Sequence, residues 1–396
     1  MGFRTLDDVD VKSRRVLLRV DLNVPIIDGK VTDTTRIKRV ASTIEELSWK
    51  GAKVILLAHF GRPKGKVSVE HSLKKIIGTM KRVLGCSVYF ARDCIGDEAQ
   101  GAVAAMKDGD VLLFENTRFY AGEEQNDLEF ARALAVNGDI YVNDAFSAAH
   151  RAHASTEGLA RLLPAYVGRL MQAELEALKK GLGDPVRPVV AIIGGAKVST
   201  KIEVLNNLIG KVDALVIGGG MANTFLAADG LNVGKSLCEH DLADAARAIM
   251  AKARSEKCTI ILPIDAIVAY HFRANVPHQH YGIDAIPADG MILDVGGQSI
   301  ECINGAIDGA ATVVWNGPLG AFELYPFDQG TVQVAKRAAE RTREGRLVSI
   351  AGGGDTVAAL NCAGLAEDFT YLSTAGGAFL EWMEGKPLPG VQILEK

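Results

Sequence analysis

Short runs of apolar, strand-prone residues recur along the whole chain, each separated from the next by a stretch with helical periodicity. In the first half they are RVLLRV (15–20), KVILLA (53–58), SVYF (87–90), DVLLFE (110–115) and DIYV (139–142). The second half continues with VVAII (189–193), ALVIG (214–218), TIILP (259–263), MILDV (291–295), TVVW (312–315) and LVSIA (347–351). Between them lie stretches such as TRIKRVASTIEELSWKG, with Ile37, Val40, Ile44 and Leu47 on one stripe and Gly51 as a stop. A strand that is apolar at nearly every position must be covered on both faces, as in a parallel sheet wrapped by helices. The expected fold is therefore α/β, with mostly parallel sheets flanked by helices on both faces.

The 396 residues exceed what one core usually organises, so two lobes are expected. The break falls at AYVGRLMQAELEALKKGLGDPVRPVV, where a helix starting near Gly168 reaches Gly181 and a Gly-Asp-Pro stop follows. That gives a lobe over 1–168 and a second lobe from 169 onward, with a hinge helix joining them.

Composition narrows the function classes. A net charge of −4 supplies no global field for nucleic acid or an anionic membrane, so an anion site must be a local concentration of Lys and Arg. The six cysteines are scattered without a C-x-x-C pair, which fits a reducing compartment, and no apolar run is long enough to span a bilayer. MGFRTL lacks a secretory pattern, and a cytoplasmic protein is expected.

Ligands of open parallel sheets bind beyond the carboxyl ends of the strands. In the first half those positions hold Asp21 and Asn23 (RVDLNVP), His59 and Arg62 (AHFGRP), Arg118 (ENTRF), and His150 and Arg151 (AHRAH), with Arg36 just after the polar TDTT. Asp144, His150, Arg151 and His153 could in isolation form a metal site, an acid–base centre or an anion clamp. The arginines at successive strand ends would repel a divalent cation and favour the clamp, because guanidinium forks match phosphate and carboxylate. Packing or capping accounts for His153.

The second half ends its strands in glycine: IIGGAK (192–197), IGGGMAN (217–223), WNGPLG (315–320) and AGGGDT (351–356). One such cluster needs only a tight turn, but several on one sheet favour a nucleotide, whose phosphates suit exposed amides at helix starts. Lys197 and Lys201, four apart, are expected on one helix face reaching toward a terminal phosphate. GLNVGKS (230–236) is one residue short of a Walker loop and reads as an ordinary loop, and HFRANVPHQH (271–280) reads as a polar loop. The dinucleotide pattern G-x-G-x-x-G follows no strand, which weakens a dehydrogenase reading; a non-catalytic nucleotide-binding scaffold is the other rival.

These motifs, in this order, resemble phosphoglycerate kinase along essentially the whole chain: RVDLNVP, AHFGRPKG, ENTRF, NDAF…AHRAHAS, GGAKVSTKI, GGGMANTFL, WNGPLGAFE, GGGDT and STAGGAFLEWMEGKPLPGV. The resemblance implies a monomer whose N-terminal lobe binds 3-phosphoglycerate or 1,3-bisphosphoglycerate and whose C-terminal lobe binds MgADP or MgATP. Carried over by motif, Asp21, Asn23, Arg36, His59, Arg62, Arg118 and Arg151 would hold the triose acid, and Lys197 and Lys201 would face the nucleotide phosphates. Asn316, Glu323, Gly353, Gly354, Asp355 and Thr356 would complete the nucleotide site, with Glu323 on the ribose and Asp355 as the protein ligand of Mg²⁺. Arg36, Lys197 and Lys201 would act on the transferring group, the lobes would close for transfer, and the second lobe would end at 383, with the tail over 384–396 returning to the first lobe. Three positions depart from the pattern: Ser147 where NDAFG has glycine, Ala58 where serine is common, and Ala375 within a glycine run.

Overall fold

A computed structural model describes residues 2–395. The chain divides into one unit formed by the residues up to Leu175 and the segment from Pro387 onward, and a second unit, Glu176–Lys386. In the first unit the strands are β1 (Arg15–Arg19), the two-residue hairpin strands β2 (Ile26–Ile27) and β3 (Lys30–Val31), β4 (Lys53–Leu57), β5 (Val88–Phe90), β6 (Val111–Leu113), β7 (Ile140–Asn143) and β8 (Ala165–Val167). Apart from the hairpin they form one parallel sheet in the order β5-β6-β4-β1-β7-β8.

Residue alternation shows why this sheet needs two covers. Leu18, Val54, Leu56 and Val142 pack into one core with Ile37, Val40, Ile44 and Leu47 of the helix Thr35–Trp49. Leu17, Ile55, Leu57 and Tyr141 pack into another with Phe130, Leu134 and Leu159. At roughly 1.5–3 kcal/mol for each large apolar side chain buried, neither face could be left to water. The helix Thr35–Trp49 starts where Asp33 Oδ1 accepts from the Thr35 amide at 2.8 Å and stops before Gly51, at φ 78°.

The second unit repeats the plan with β9 (Val189–Ile193), β10 (Ala214–Ile217), β11 (Thr259–Ile261), β12 (Asp265–Ala269), β13 (His278–Gly282), β14 (Met291–Val295), β15 (Thr312–Asn316), β16 (Val348–Gly352) and β17 (Tyr371–Ser373). Its parallel sheet runs β11-β10-β9-β15-β16-β17. Two sequence expectations need correction. MILDV is strand β14 but does not join the parallel sheet; it pairs antiparallel with β12 in a separate sheet, β13-β12-β14. HFRANVPHQH is not all loop, because its last residues form β13, a polar edge strand whose His280 Nε2 lies 2.6 Å from the buried Asp265 carboxylate. The polar composition reflects a strand exposed on its edge rather than the lack of one.

The chain passes from one unit to the next in the helix Arg169–Leu178, followed by a wider helical turn over Lys179–Gly183. Thr43 Oγ1 accepts from the Arg169 amide at 3.0 Å, and Asp144 Oδ1 from the Met171 amide at 2.9 Å. Burial pushes the Asp144 carboxyl up to about 6.

Candidate active site

In the first sheet β1 is the switch point, since the order runs from β1 outward through β4 on one side and β7 on the other. Residues following β1, β4, β6 and β7 meet there. Asp21 Oδ2 accepts from Arg36 Nη1 at 2.5 Å and from Ser147 Oγ at 2.5 Å. Asn23 Oδ1 accepts from the Gly61 amide at 3.0 Å, and Arg118 Nη1 donates to Gly61 O at 2.9 Å. Arg118 is buried and forms an ion pair with Glu124 at 3.2 Å. Burial pushes the Asp21 carboxyl up, but the Arg36 charge and the Ser147 hydrogen bond hold it below the usual carboxylate range. Arg151 lies exposed with its Nε donating to His150 Nε2 at 3.2 Å, and Arg62 is exposed after Gly61. Asp144, which the sequence sets beside these histidines, is instead turned to the Met171 amide, so it supplies no acid–base partner.

Sequence reasoning passed over Arg19. It sits inside the apolar run RVLLRV, yet it is fully buried, and it closes a polar network. Its Nε donates to Ser155 Oγ at 2.8 Å, and Ser155 Oγ in turn donates to Glu123 Oε1 at 2.5 Å. Arg19 Nη2 lies 2.8 Å from His59 Nδ1. A guanidinium can only donate, so Nδ1 must accept, and the ring proton of His59 is left on Nε2. Burial and the charges of Arg19 and Arg118 push the His59 pKa well below its ordinary value, so the ring is a neutral donor. The one signal in the sequence was a charge at a position that the strand pattern assigns to the core. His153 is buried beside Glu123, and its backbone oxygen accepts from the Thr156 and Glu157 amides, in keeping with a packing and capping role.

In the second sheet the switch lies between β9 and β15, and the glycine turns after β10, β9, β15 and β16 stand side by side. Backbones approach closely here: a Cβ on Gly194 would run into Pro318 O, and one on Gly317 into Gly194 O. Beyond these turns opens a cavity of about 490 Å³, lined among others by Gly219, Gly220, Leu293, Phe272, Glu323 and Asp355. The helices Gly220–Ala228 and Gly354–Cys362 begin at this rim, the second preceded by Gly353 at φ 99°. Lys201 Nζ donates to Asn316 Oδ1, Asn316 Nδ2 donates to Gly352 O at 2.7 Å, and Thr356 Oγ1 accepts from the Gly317 amide at 2.7 Å. Burial lowers the Lys201 pKa to about 8. The expectation that Lys197 and Lys201 share a helix face is overturned. Lys197 is extended (φ −134°, ψ 133°), a short 3₁₀ turn follows, and the helix starts only at Ile202. Asp294, which sequence reasoning also missed, lines the cavity; burial pushes its carboxyl up to about 8 while it accepts from the Gly330 amide at 2.8 Å.

A profile of the phosphoglycerate kinase family matches residues 6–386. The chain belongs to that family. The phosphoglycerate kinase of Brucella melitensis biotype 1 is 72% identical over 396 residues, covering 100% of both chains. That of Rhizobium meliloti is 68% identical over 397 residues with the same coverage. The solved structure of phosphoglycerate kinase from Coxiella burnetii superposes with a TM-score of 0.93 at 42% identity, covering 99% of each chain. The Pyrococcus horikoshii enzyme gives 0.83 at 31% identity, over 99% of this chain and 98% of its own. Phosphoglycerate kinase membership therefore extends over both units and both strand-end sites.

Proposed function

We infer that the chain catalyses reversible phosphoryl transfer from the acyl phosphate of 1,3-bisphosphoglycerate to ADP, giving 3-phosphoglycerate and ATP, as a step of glycolysis. The family match over nearly the whole chain carries the reading. Its expected result is direct: 3-phosphoglycerate and MgATP together yield ADP in a coupled assay, and neither alone does. No turnover with both present would overturn it.

The triose acid is assigned to the first unit. Asp21, Asn23, Arg36, His59, Arg62, Arg118 and Arg151 provide the donors and the carboxylate acceptor that suit a hydroxylated ligand with two anionic groups. The nucleotide is assigned to the second unit, where apolar walls suit a purine ring, Glu323 suits a ribose, and the starts of two helices suit phosphates. Magnesium fits this site as a companion of the nucleotide. Among the described residues no cluster of three or more His, Cys, Asp or Glu could hold a metal, whereas Asp355 is one exposed carboxylate lining the cavity. Mg²⁺ binds readily through one carboxylate plus substrate phosphates. When bound it would neutralise phosphate charge.

The acceptor carboxylate is already ionised at neutral pH, so no general base is required. What remains is alignment and stabilisation of a loose, metaphosphate-like transition state. Arg36 is assigned to the triose side of the transferring group, and Lys197 and Lys201 to the nucleotide side. Because one ligand belongs to each unit, transfer requires closure about the connector and exclusion of water that would hydrolyse the acyl phosphate.

Lys201 gives a pH dependence. Its ammonium is favoured below about 8 and lost above, so in the free enzyme a phosphate partner is lost as pH rises. MgADP affinity measured by calorimetry should weaken roughly tenfold between pH 7 and 9, and bound phosphate should draw a proton onto the protein in that window. Lys201→Met should bind weakly and lose this dependence; a variant keeping it would remove Lys201 from the role.

A further inference from the structure

Asp21 is held by three donors from three places. Its Oδ1 accepts from the Asn23 amide at 3.0 Å, while Oδ2 is shared between Arg36 Nη1 and Ser147 Oγ, each at 2.5 Å. Asp21 directly follows β1, and Ser147 lies in the 3₁₀ turn Phe146–Ala148 that follows β7. These strands are parallel neighbours with Arg19 opposite Asn143, so the serine hydroxyl joins two adjacent strand-end turns across the switch point. One turn carries Asp21 and Asn23; the other leads on to His150 and Arg151. The second turn is also fixed from behind, where the Gly390 amide donates to Ala149 O at 2.9 Å.

Arg36 is the more exposed partner of its ion pair with Asp21. Its side chain is 38% exposed, against 11% for Asp21. If Arg36 acts on the transferring group it must loosen its grip on Asp21, and the carboxylate then needs another donor to keep its place. A glycine at position 147 has none to give. We propose that Ser147 is a positioning residue for the phosphoglycerate site, holding Asp21 to the β7 turn so that Asp21 and Arg151 keep their spacing while Arg36 changes partner. This rests on the reading of the first-unit rim as the triose site.

The bond contributes to ground-state and transition-state binding alike, so its loss should appear mainly in KM. Ser147→Ala and Ser147→Gly should each raise KM for 3-phosphoglycerate about tenfold, the scale of a hydrogen bond to a charged group in a half-buried place. The same variants should leave kcat within about twofold and KM for MgATP unchanged. Ser147→Thr, which keeps the hydroxyl, should restore the parent KM. An independent readout needs no turnover: the carbon-13 carboxyl resonance of Asp21 should titrate at higher pH in the alanine and glycine variants, because a donor that favours the ionised form is gone. Unchanged KM and unchanged Asp21 titration in both variants would overturn the proposal. If the parent protein failed to turn over 3-phosphoglycerate, the triose reading would fall, while the Asp21 titration would still report whether Ser147 holds the carboxylate.

Discussion

Replacing Arg36 by alanine is expected to lower kcat about 100- to 1000-fold while weakening 3-phosphoglycerate binding far less. The figure corresponds to about 2.7–4 kcal/mol, the usual loss when one donor aimed at transition-state charge is removed. Arg36 suits that role because its resting partner is an anion already served by two other donors, Asn23 N and Ser147 Oγ. The guanidinium can therefore leave Asp21 without stranding it. Asp21 in the variant still has those two donors, so the ground-state pocket should persist and the loss should fall on the chemical step. Steady-state kinetics in the direction of ATP consumption decide the matter: kcat within tenfold of the parent would remove Arg36 from the transferring group.

The second large effect is on stability. Arg19→Met should destabilise the first unit by about 3–5 kcal/mol, the range found when one partner of a buried charge network is removed. Methionine fills much of the volume, so the loss is electrostatic rather than a cavity. Glu123 would remain fully buried with the Ser155 amide and hydroxyl as donors but without the guanidinium that backs that hydroxyl, and His59 would lose the donor that fixes its ring proton. Adding Glu123→Gln to Arg19→Met should recover about 1–3 kcal/mol as coupling between the two positions. Hydrogen exchange at the amides of β1 and β7 reads this unit separately from the other. Strict additivity of the two substitutions would show that Arg19 and Glu123 do not act as one network.

The architecture was legible because parallel strands buried on both faces announce themselves as continuous apolar runs. RVLLRV, KVILLA, VVAII and TVVW all stand where such runs were read. MILDV was misassigned to the parallel sheet because an apolar run does not specify its partners; β14 found them in β12, an antiparallel neighbour. The strand β13 was missed because its residues are polar, and only the ladder to β12 makes HQHYG a strand. At the candidate site, the strand-end rule brought forward Asp21, Asn23, His59 and Arg118, and the polar TDTT cluster brought forward Arg36; their chemistry is visible as residue type. What sequence reasoning could not see was direction. Asp144 turns away to the connector helix, Lys197 and Lys201 are separated by a 3₁₀ turn, and Arg19 turns a strand position into the hub of a polar network.

The second unit is an insertion in the covalent path of the first, since the chain leaves the first unit after Leu175 and rejoins it at Pro387. A ribosome therefore releases all of the second unit before it releases Gly390, whose amide and carbonyl are bonded to Ala149 O and Asn143 Nδ2. Until translation passes that point, the turn between Asn143 and Arg151 lacks its last two bonds. The unit that is begun first is thus finished last, and a message cut short within the second unit leaves the turn from Asn143 to Arg151 without those two bonds.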